Sequence, residues 1–370
     1  MSSDSNWCPE IYRGMYIDRF NNDHVYVAPC CQSVGAKEAV DKFNFYTSTI
    51  LTDMRNRFDL GEYPEECDRC WQVEKYGHKS RRHSAIEFFN LPTEDRTVIF
   101  EGLDYSGTWA CNLACIMCSP TFSSTWASEL SLSKTELIQI GRLFQKSNDF
   151  LDTVDIRSLK KLHFNGGEPL LNNDHLALLE KLKDEDMLKN VFISYNTNAT
   201  ITPSPRLVEL WSQARLIKIF FSVDATDSAF EYIRWPAKWN QVQNNMLELK
   251  QTLPGNVMFG INSTVGCYNV FEIKQVWEWF LNNIKSNRVG DESDFCWQLA
   301  KNYDISNLSR LAKQSAINHI GTIPELQGIV SYLIDSLDNA QSDQWIASLD
   351  KLDTMRGNSW RSSLHVAQYY

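Results

Sequence analysis

The sequence predicts an α/β protein: a partial (β/α)6 barrel of the TIM type, a small cysteine-rich α+β module before it and a helical tail after it. Three observations carry that expectation. From about residue 97 onward, short β-rich runs alternate with amphipathic helix-like segments. Polar motifs stand at the carboxyl ends of the first four runs. Eight of the ten cysteines fall before residue 120.

The β-rich runs are 97–104, 159–164, 191–196, 217–223, 258–265 and 295–299, and the helical stretches among them include 174–182, 206–214, 239–249 and 270–284. A continuous run such as Ile-Lys-Ile-Phe-Phe-Ser-Val suits a strand covered on both faces, as parallel strands are. Strand–helix repetition gives either a barrel or a doubly wound sheet, and the polar motifs choose between them. A cysteine triplet follows the first run, Asn165–Pro169 the second, Asn196-Thr197-Asn198 the third and Ser222-Val223-Asp224 the fourth. Barrels assemble sites from several such loops, whereas a doubly wound sheet gathers its polar groups at one switch point.

Residues 1–95 read as a separate module, rich in cysteine and turn residues, with a hairpin around residues 21–24 and a helix near 49–58. Residues 96–301 are the barrel. From 302 to 370 the pattern is helical, with apolar residues at three- and four-residue intervals in 323–337 and 342–355. Asp335, Asp338, Asp343 and Asp350 are read there as solvated faces.

A net charge of −10 argues against a surface built for nucleic-acid phosphates or anionic membranes; Lys79, Arg81 and Arg82 form the one short cationic run. No apolar stretch is long enough to span a bilayer, and the first residues lack the order of a secretion signal. These features predict a cytoplasmic protein with neither a membrane nor a nucleic acid as partner. In a reducing compartment ten cysteines are not a disulfide framework, and their clustering points to metal. Cys267 and Cys296 stand apart and are read as buried small residues, with hydrogen donation to a substrate radical the sharper alternative for Cys267.

Cys111, Cys115 and Cys118 occupy Cys-Asn-Leu-Ala-Cys-Ile-Met-Cys, and Gly-Gly-Glu-Pro follows at 166–169. Three thiolates at this spacing can hold three corners of a metal cluster and leave one metal position open, as catalytic sites do. The competing reading is a zinc site completed by a remote cysteine, but the spacing departs from paired Cys-x2-Cys ribbons.

Together these motifs resemble the radical S-adenosylmethionine (SAM) superfamily over roughly residues 97–297. The resemblance implies that Cys111, Cys115 and Cys118 hold a 4Fe–4S cluster whose open iron chelates SAM. Gly166 and Gly167 would let the backbone approach its methionine part, Glu168 would accept from its amino group, and Pro169 would stiffen the turn. Ser222 and Arg234 match carboxylate-holding positions, Asn198 a ribose contact, and Met117 stands where many relatives place an aromatic residue beside adenine. A surface ion pair is the alternative for Arg234; capping of the following helix is the alternative for Ser222 and the preferred reading for Asp224. The implied chemistry is reductive cleavage of SAM to a 5′-deoxyadenosyl radical that abstracts hydrogen from a substrate, with an external one-electron reductant of flavodoxin or ferredoxin type.

Cys8-Pro-Glu-Ile-Tyr, His24-Val-Tyr-Val-Ala-Pro-Cys-Cys, Arg55-Asn-Arg and Glu66-Cys-Asp-Arg-Cys resemble the SPASM/twitch auxiliary-cluster module. That module usually follows the barrel; here it precedes it, with cysteines for one cluster. The resemblance implies an auxiliary 4Fe–4S cluster on Cys8, Cys30, Cys67 and Cys70, with Cys31 the alternative to Cys30 and a four-cysteine zinc site the competing reading. Relatives of this kind imply a peptide or protein side chain as substrate. Oxidation or rearrangement of a sugar, nucleotide or cell-surface precursor is the alternative, and a non-catalytic iron–sulfur or zinc redox or scaffold protein is a third reading.

Overall fold

The computed structural model describes residues 6–19, 24–39, 43–77, 79–92, 95–140, 155–172, 174–285 and 294–370. The class is α/β as expected, with a parallel strand–helix core and a helical carboxyl-terminal segment. The strand order is β3 (Ala36–Ala39), β2 (His24–Ala28), β1 (Gly14–Arg19), β4 (Gly102–Ser106), β5 (Lys161–Phe164), β6 (Phe192–Thr197), β7 (Leu216–Ser222), β8 (Val257–Val265), β9 (Phe295–Leu299). The chain divides into two compact units, the first Met1–Cys111, Pro120–Tyr195 and Ser204–Ile217, the second Asn112–Ser119, Asn196–Pro203 and Lys218–Tyr370.

The first unit opens with α1 (Pro9–Arg13), β1 (Gly14–Arg19), β2 (His24–Ala28) and β3 (Ala36–Ala39), then α2 (Thr49–Asp59), α3 (Asp68–Lys75) and α4 (Arg81–Phe89). The expected hairpin exists as the antiparallel β1–β2 pair, Tyr16 opposite Ala28 through Arg19 opposite Val25; its turn lies outside the described residues. The expected helix is α2, which Ser48 caps by accepting from the Leu51 N–H at 3.2 Å. The unit continues with β4 (Gly102–Ser106), α5 (Ser124–Glu129), α6 (Lys134–Gln139), β5 (Lys161–Phe164), α7 (Asp174–Asp184), the first four residues of β6 (Phe192–Thr197), whose last two belong to the second unit, and α8 (Pro205–Gln213). β4, β5 and β6 are parallel, and β1 joins β4 in parallel on the other side.

The first run was expected over 97–104, and β4 starts later. The Ile99 and Glu101 N–H groups donate to the Tyr12 and Arg13 carbonyls at 3.2 and 3.0 Å, so this stretch bonds to the α1–β1 joint instead of a strand ladder. Alternation then decides the faces. Phe164 packs edge-on against His175 of α7 and stacks on Tyr195, which meets Trp211 of α8. Asp104, His163 and Ser194 are register partners on the opposite face, which α4 covers.

β7 (Leu216–Ser222) runs from the first unit into the second. The second unit holds α9 (Asp227–Ile233), α10 (Trp239–Thr252), β8 (Val257–Val265), α11 (Ile273–Asn283), β9 (Phe295–Leu299), α12 (Arg310–Ile320), α13 (Gln327–Asp335), α14 (Gln344–Arg356) and α15 (Trp360–Ser363). β8 and β9 are parallel. Cys267 is buried as expected, its thiol donating to the Asp304 carbonyl at 2.8 Å. Cys296 is exposed, contrary to expectation, because β9 is an end strand and its neighbour Phe295 takes the contacts with Trp277 and Phe280. Asp335, Asp338 and Asp343 are exposed as expected; Asp350 is half-buried and accepts from Trp360 Nε1 at 2.7 Å. Among the described residues no helix is long and apolar enough to cross a membrane.

Candidate active site

In the first unit, the loop after β4 leads to Cys111, and α5 grips that residue by both peptide groups. Ser124 Oγ accepts from the Cys111 N–H and donates to its carbonyl, each at 3.1 Å, and Thr125 Oγ1 donates to the same carbonyl at 2.6 Å. The Gly-Gly-Glu-Pro turn lies along this loop. Gly167 N–H donates to Thr108 O at 2.9 Å and Glu168 N–H to Ala110 O at 2.8 Å. Gly166 has φ +104°, a region that side chains avoid, and a Cβ on Gly167 would lie 2.3 Å from Ala110 O. The glycines are therefore required by the cysteine loop itself. Glu168 is 1% exposed and accepts from the Leu170 N–H at 3.1 Å, so it caps the 3-10 turn Pro169–Leu171.

In the second unit, Cys115 lies between two fixed peptide groups. Ala114 N–H donates to Trp235 O at 2.7 Å and Ile116 N–H to Ile233 O at 3.0 Å, while Cys118 N–H closes back on Cys115 O at 2.9 Å. Met117 and Cys118 are half-buried in this loop. Arg234 NH1 points at Cys115 Sγ, 4.0 Å away. Asn198 accepts from Thr200 N–H and Oγ1 at 2.9 and 2.6 Å and donates to Asn112 Oδ1 at 3.0 Å; Asn112 Nδ2 in turn donates to Thr200 Oγ1 at 2.7 Å. A three-residue ring thus ties the third motif to the residue after Cys111. Ser222 ends β7 and is half-buried.

Asp224 does not cap α9, whose N-cap position is Thr226. It is fully buried and binds Arg234, with Oδ2 accepting from Nε at 2.8 Å and from NH2 at 2.7 Å, and Oδ1 accepting from the Thr264 N–H at 2.7 Å. Arg234 is 8% exposed, so the surface ion pair is excluded and a buried one takes its place. Burial raises the Asp224 carboxyl pKa against the pull of Arg234.

The module's Cys8, Cys30, Cys67 and Cys70 line one cavity in the first unit. Cys8 directly precedes α1, Cys30 follows β2, and Cys67 and Cys70 are three apart at the start of α3, hence on one face. Trp7, Phe58 and Trp71 surround them with apolar packing. Burial pushes all four thiols up, Cys67 to about 12. Arg81 and Arg82 share the cavity wall; Arg82 donates to Trp7 O at 3.0 Å and pairs with Glu74 at 2.5 Å. Cys31 is not among the lining residues. Its N–H donates to Asp104 Oδ2 at 2.8 Å, and its sulfur accepts from Arg81 at 3.3 Å. All ten cysteines are free thiols, and among the described residues no three His, Cys, Asp or Glu side chains converge on a single-ion position.

Behind the cavity lies a buried charge cluster. Arg81 pairs with Asp104 at 2.6 Å and Glu10 at 3.1 Å, and Lys161 reaches Glu10 at 2.6 Å. Burial opposes ionisation of Asp104, yet Arg81, His163 and Lys161 bring its pKa down to about 2. Burial also lowers His163, to about 4, and its Nδ1 hydrogen-bonds Ser194 Oγ at 2.8 Å. Sequence reading missed Ser124, Thr125, Asp104 and the Asp224–Arg234 pair. The last had a signal, an acid and a base ten residues apart after one strand; the hydroxyls had none.

Residues 105–266 match the family model described as the Radical SAM superfamily. Among solved structures, native anSMEcpe with bound AdoMet is similar at 16% identity over 70% of this chain and 67% of that chain, TM-score 0.41. Streptococcus suis SuiB bound to S-adenosylmethionine is similar at 13% identity over 74% and 48%, TM-score 0.36. SuiB bound to precursor peptide SuiA gives 12% identity over 94% of this chain and 78% of that chain, TM-score 0.37. A search of curated proteins gave no match. Residues 105–266, which contain the cysteine triplet and the Gly-Gly-Glu-Pro turn, are a domain of the Radical SAM superfamily.

Proposed function

We propose that the protein is a radical SAM enzyme acting on a peptide or protein side chain. The observation that carries the reading is the matched domain with its three-cysteine loop and no fourth thiol following it closely: the next cysteine in the sequence, Cys267, is buried and bonded to Asp304 O. Cys111, Cys115 and Cys118 would hold a 4Fe–4S cluster with one iron free for SAM. When bound, the pair would supply one-electron cleavage of the cofactor and a carbon radical able to take hydrogen from an unactivated position.

The chain's own residues would orient and shield that chemistry. Gly166 and Gly167 keep the turn against the cysteine loop, and Glu168, Asn198, Ser222 and Met117 supply acceptors and apolar surface for the cofactor's amino, ribose and adenine parts. Arg234 has its Nε and NH2 committed to Asp224, so its remaining NH1 is what it can offer a carboxylate. Residues 1–95 are read as a SPASM/twitch-like module. Its four-thiol cavity, apolar walls and two arginines suit a buried anionic cluster, and Cys30 is preferred to Cys31 because Cys30 lines the cavity. Such a cluster would accept or relay the substrate's electron. The division at 95/96 and 301/302, and an external flavodoxin- or ferredoxin-type reductant, belong to the same proposal.

The test is anaerobic incubation of reconstituted, reduced protein with SAM. Formation of 5′-deoxyadenosine, lost in Cys115→Ala with the module's iron retained, is expected; no product from the wild type overturns the proposal. About eight irons per chain are expected with both sites filled by cubanes, and about half that with zinc in the module. Product formed with a co-expressed peptide, not with a metabolite extract, separates a peptide substrate from a sugar or nucleotide.

A further inference from the structure

We propose that Arg356, on the carboxyl-terminal helix α14, is a positioning residue of the cluster-binding loop; the inference rests on the proposed function of that loop. Its NH2 donates to Ala114 O at 2.8 Å, across 242 residues of sequence. The same guanidinium lies 5.9 Å from the Trp235 ring centroid, and Trp235 O takes the Ala114 N–H. Both polar groups of Ala114 are therefore held, one by the segment after α9 and one by α14. The Ile116 N–H is held by Ile233 O, so Cys115 is flanked by fixed peptide groups on each side.

The helix that supplies Arg356 is anchored beside the contact. Asp353, one turn earlier, accepts from Tyr232 Oη at 2.8 Å and from the Trp360 N–H at 3.0 and 3.1 Å. Gly357, with φ +65°, ends the helix directly after Arg356 and sends its N–H to Asp353 O at 2.8 Å. The contact is thus built by residues on both partners. Its physical role is to keep the loop in one geometry before the cofactor arrives. Without it, part of the cofactor's binding free energy goes into ordering the loop. A charge-assisted hydrogen bond to one carbonyl is a sufficient lever for that.

The experiment titrates SAM into the reduced wild type, Arg356→Met, Arg356→Lys and Arg361→Met, following the SAM-induced change in the cluster's electron paramagnetic resonance spectrum. Arg361 is the control because it lies in the same tail and pairs with Asp350 on the surface. Half-maximal change is expected at about tenfold higher SAM in Arg356→Met, which corresponds to about 1.4 kcal/mol of binding free energy diverted to ordering the loop. Arg356→Lys should fall between, and Arg361→Met should match the wild type. Iron content and melting temperature are recorded on every sample. A purely structural role would lower the melting temperature without moving the titration, and a wild-type midpoint in Arg356→Met overturns the proposal. Should Arg356→Met fail to fold, Arg356→Lys decides, a midpoint equal to wild type overturning the proposal. A wild type that gives no spectral response removes the proposed function itself, a result distinguishable from an unchanged midpoint.

Discussion

Asp224→Asn offers the sharpest test of how Arg234 is held. The substitution keeps an oxygen for the Thr264 N–H but turns an NH2 donor toward the guanidinium, where Oδ2 had accepted from two nitrogens at 2.8 and 2.7 Å. With Asp224 fully buried and Arg234 8% exposed, the cation is left without compensation away from water. Breaking a buried pair from one side costs about 3–5 kcal/mol. An independent count of two charge-assisted bonds, about 1.5–3 kcal/mol each, gives about 3–6 kcal/mol, which overlaps that range. Removing both charges, in Asp224→Leu with Arg234→Met, leaves no buried charge and strands only the Thr264 N–H, so stability should return to within about 1–3 kcal/mol of the wild type. Urea unfolding of the metal-free protein reads all three. The double variant, though stable, should bind SAM more weakly, since NH1 beside Cys115 Sγ is gone. A loss below about 1 kcal/mol in Asp224→Asn, or a double variant as unstable as the single one, refutes the reasoning.

His163 titrates at about 4 in the folded protein against an ordinary 6.5, so the unfolded chain takes up the proton first. Its contribution is complete above pH 6.5 and is lost as pH falls toward 4, a change of about 3 kcal/mol, of which about 2 kcal/mol falls between pH 7 and pH 5, where urea midpoints should show it. His163→Asn, which can keep the bond to Ser194 Oγ, should flatten that interval, and an unchanged slope would count against the assignment. Asp104 acts in a lower window, below its ordinary 3.8 and down to about 2, and does not obscure the result. Gly167→Ala places a methyl 2.3 Å from Ala110 O and should displace the cysteine loop, lowering iron retention after gel filtration; full retention would contradict that packing. Cys30→Ala should release the module's metal, whereas Cys31→Ala should retain it, as iron analysis of the two proteins will show.

Periodicity and motif order made the strand–helix core legible, because buried parallel strands must be apolar and their loops collect polar residues. The carboxyl ends of β5, β6 and β7 fall within a residue of the expected positions. What could not be read was long-range pairing. Nothing in the local pattern of residues 97–101 says that their backbone bonds to the α1–β1 joint, and nothing near Arg356 mentions Ala114. Cys296 was misjudged because an apolar neighbourhood in sequence does not tell an end strand from an inner one. The role of Asp224 was missed for a related reason. Helix-start statistics favour acids at that place, and only the buried arginine ten residues on overrides them.

The parallel pairing of β1 with β4 has a practical consequence. A fragment starting near residue 96 would strip β4 of the hydrogen-bonding neighbour it has from Gly14 to Asp18 and uncover the side of it that Arg81 now fills. Its newly bared margin would be a template for self-association. Anyone dissecting the two proposed metal sites should therefore substitute cysteines one at a time in the intact chain, since truncation would report on misassembly and not on the role of the missing cluster.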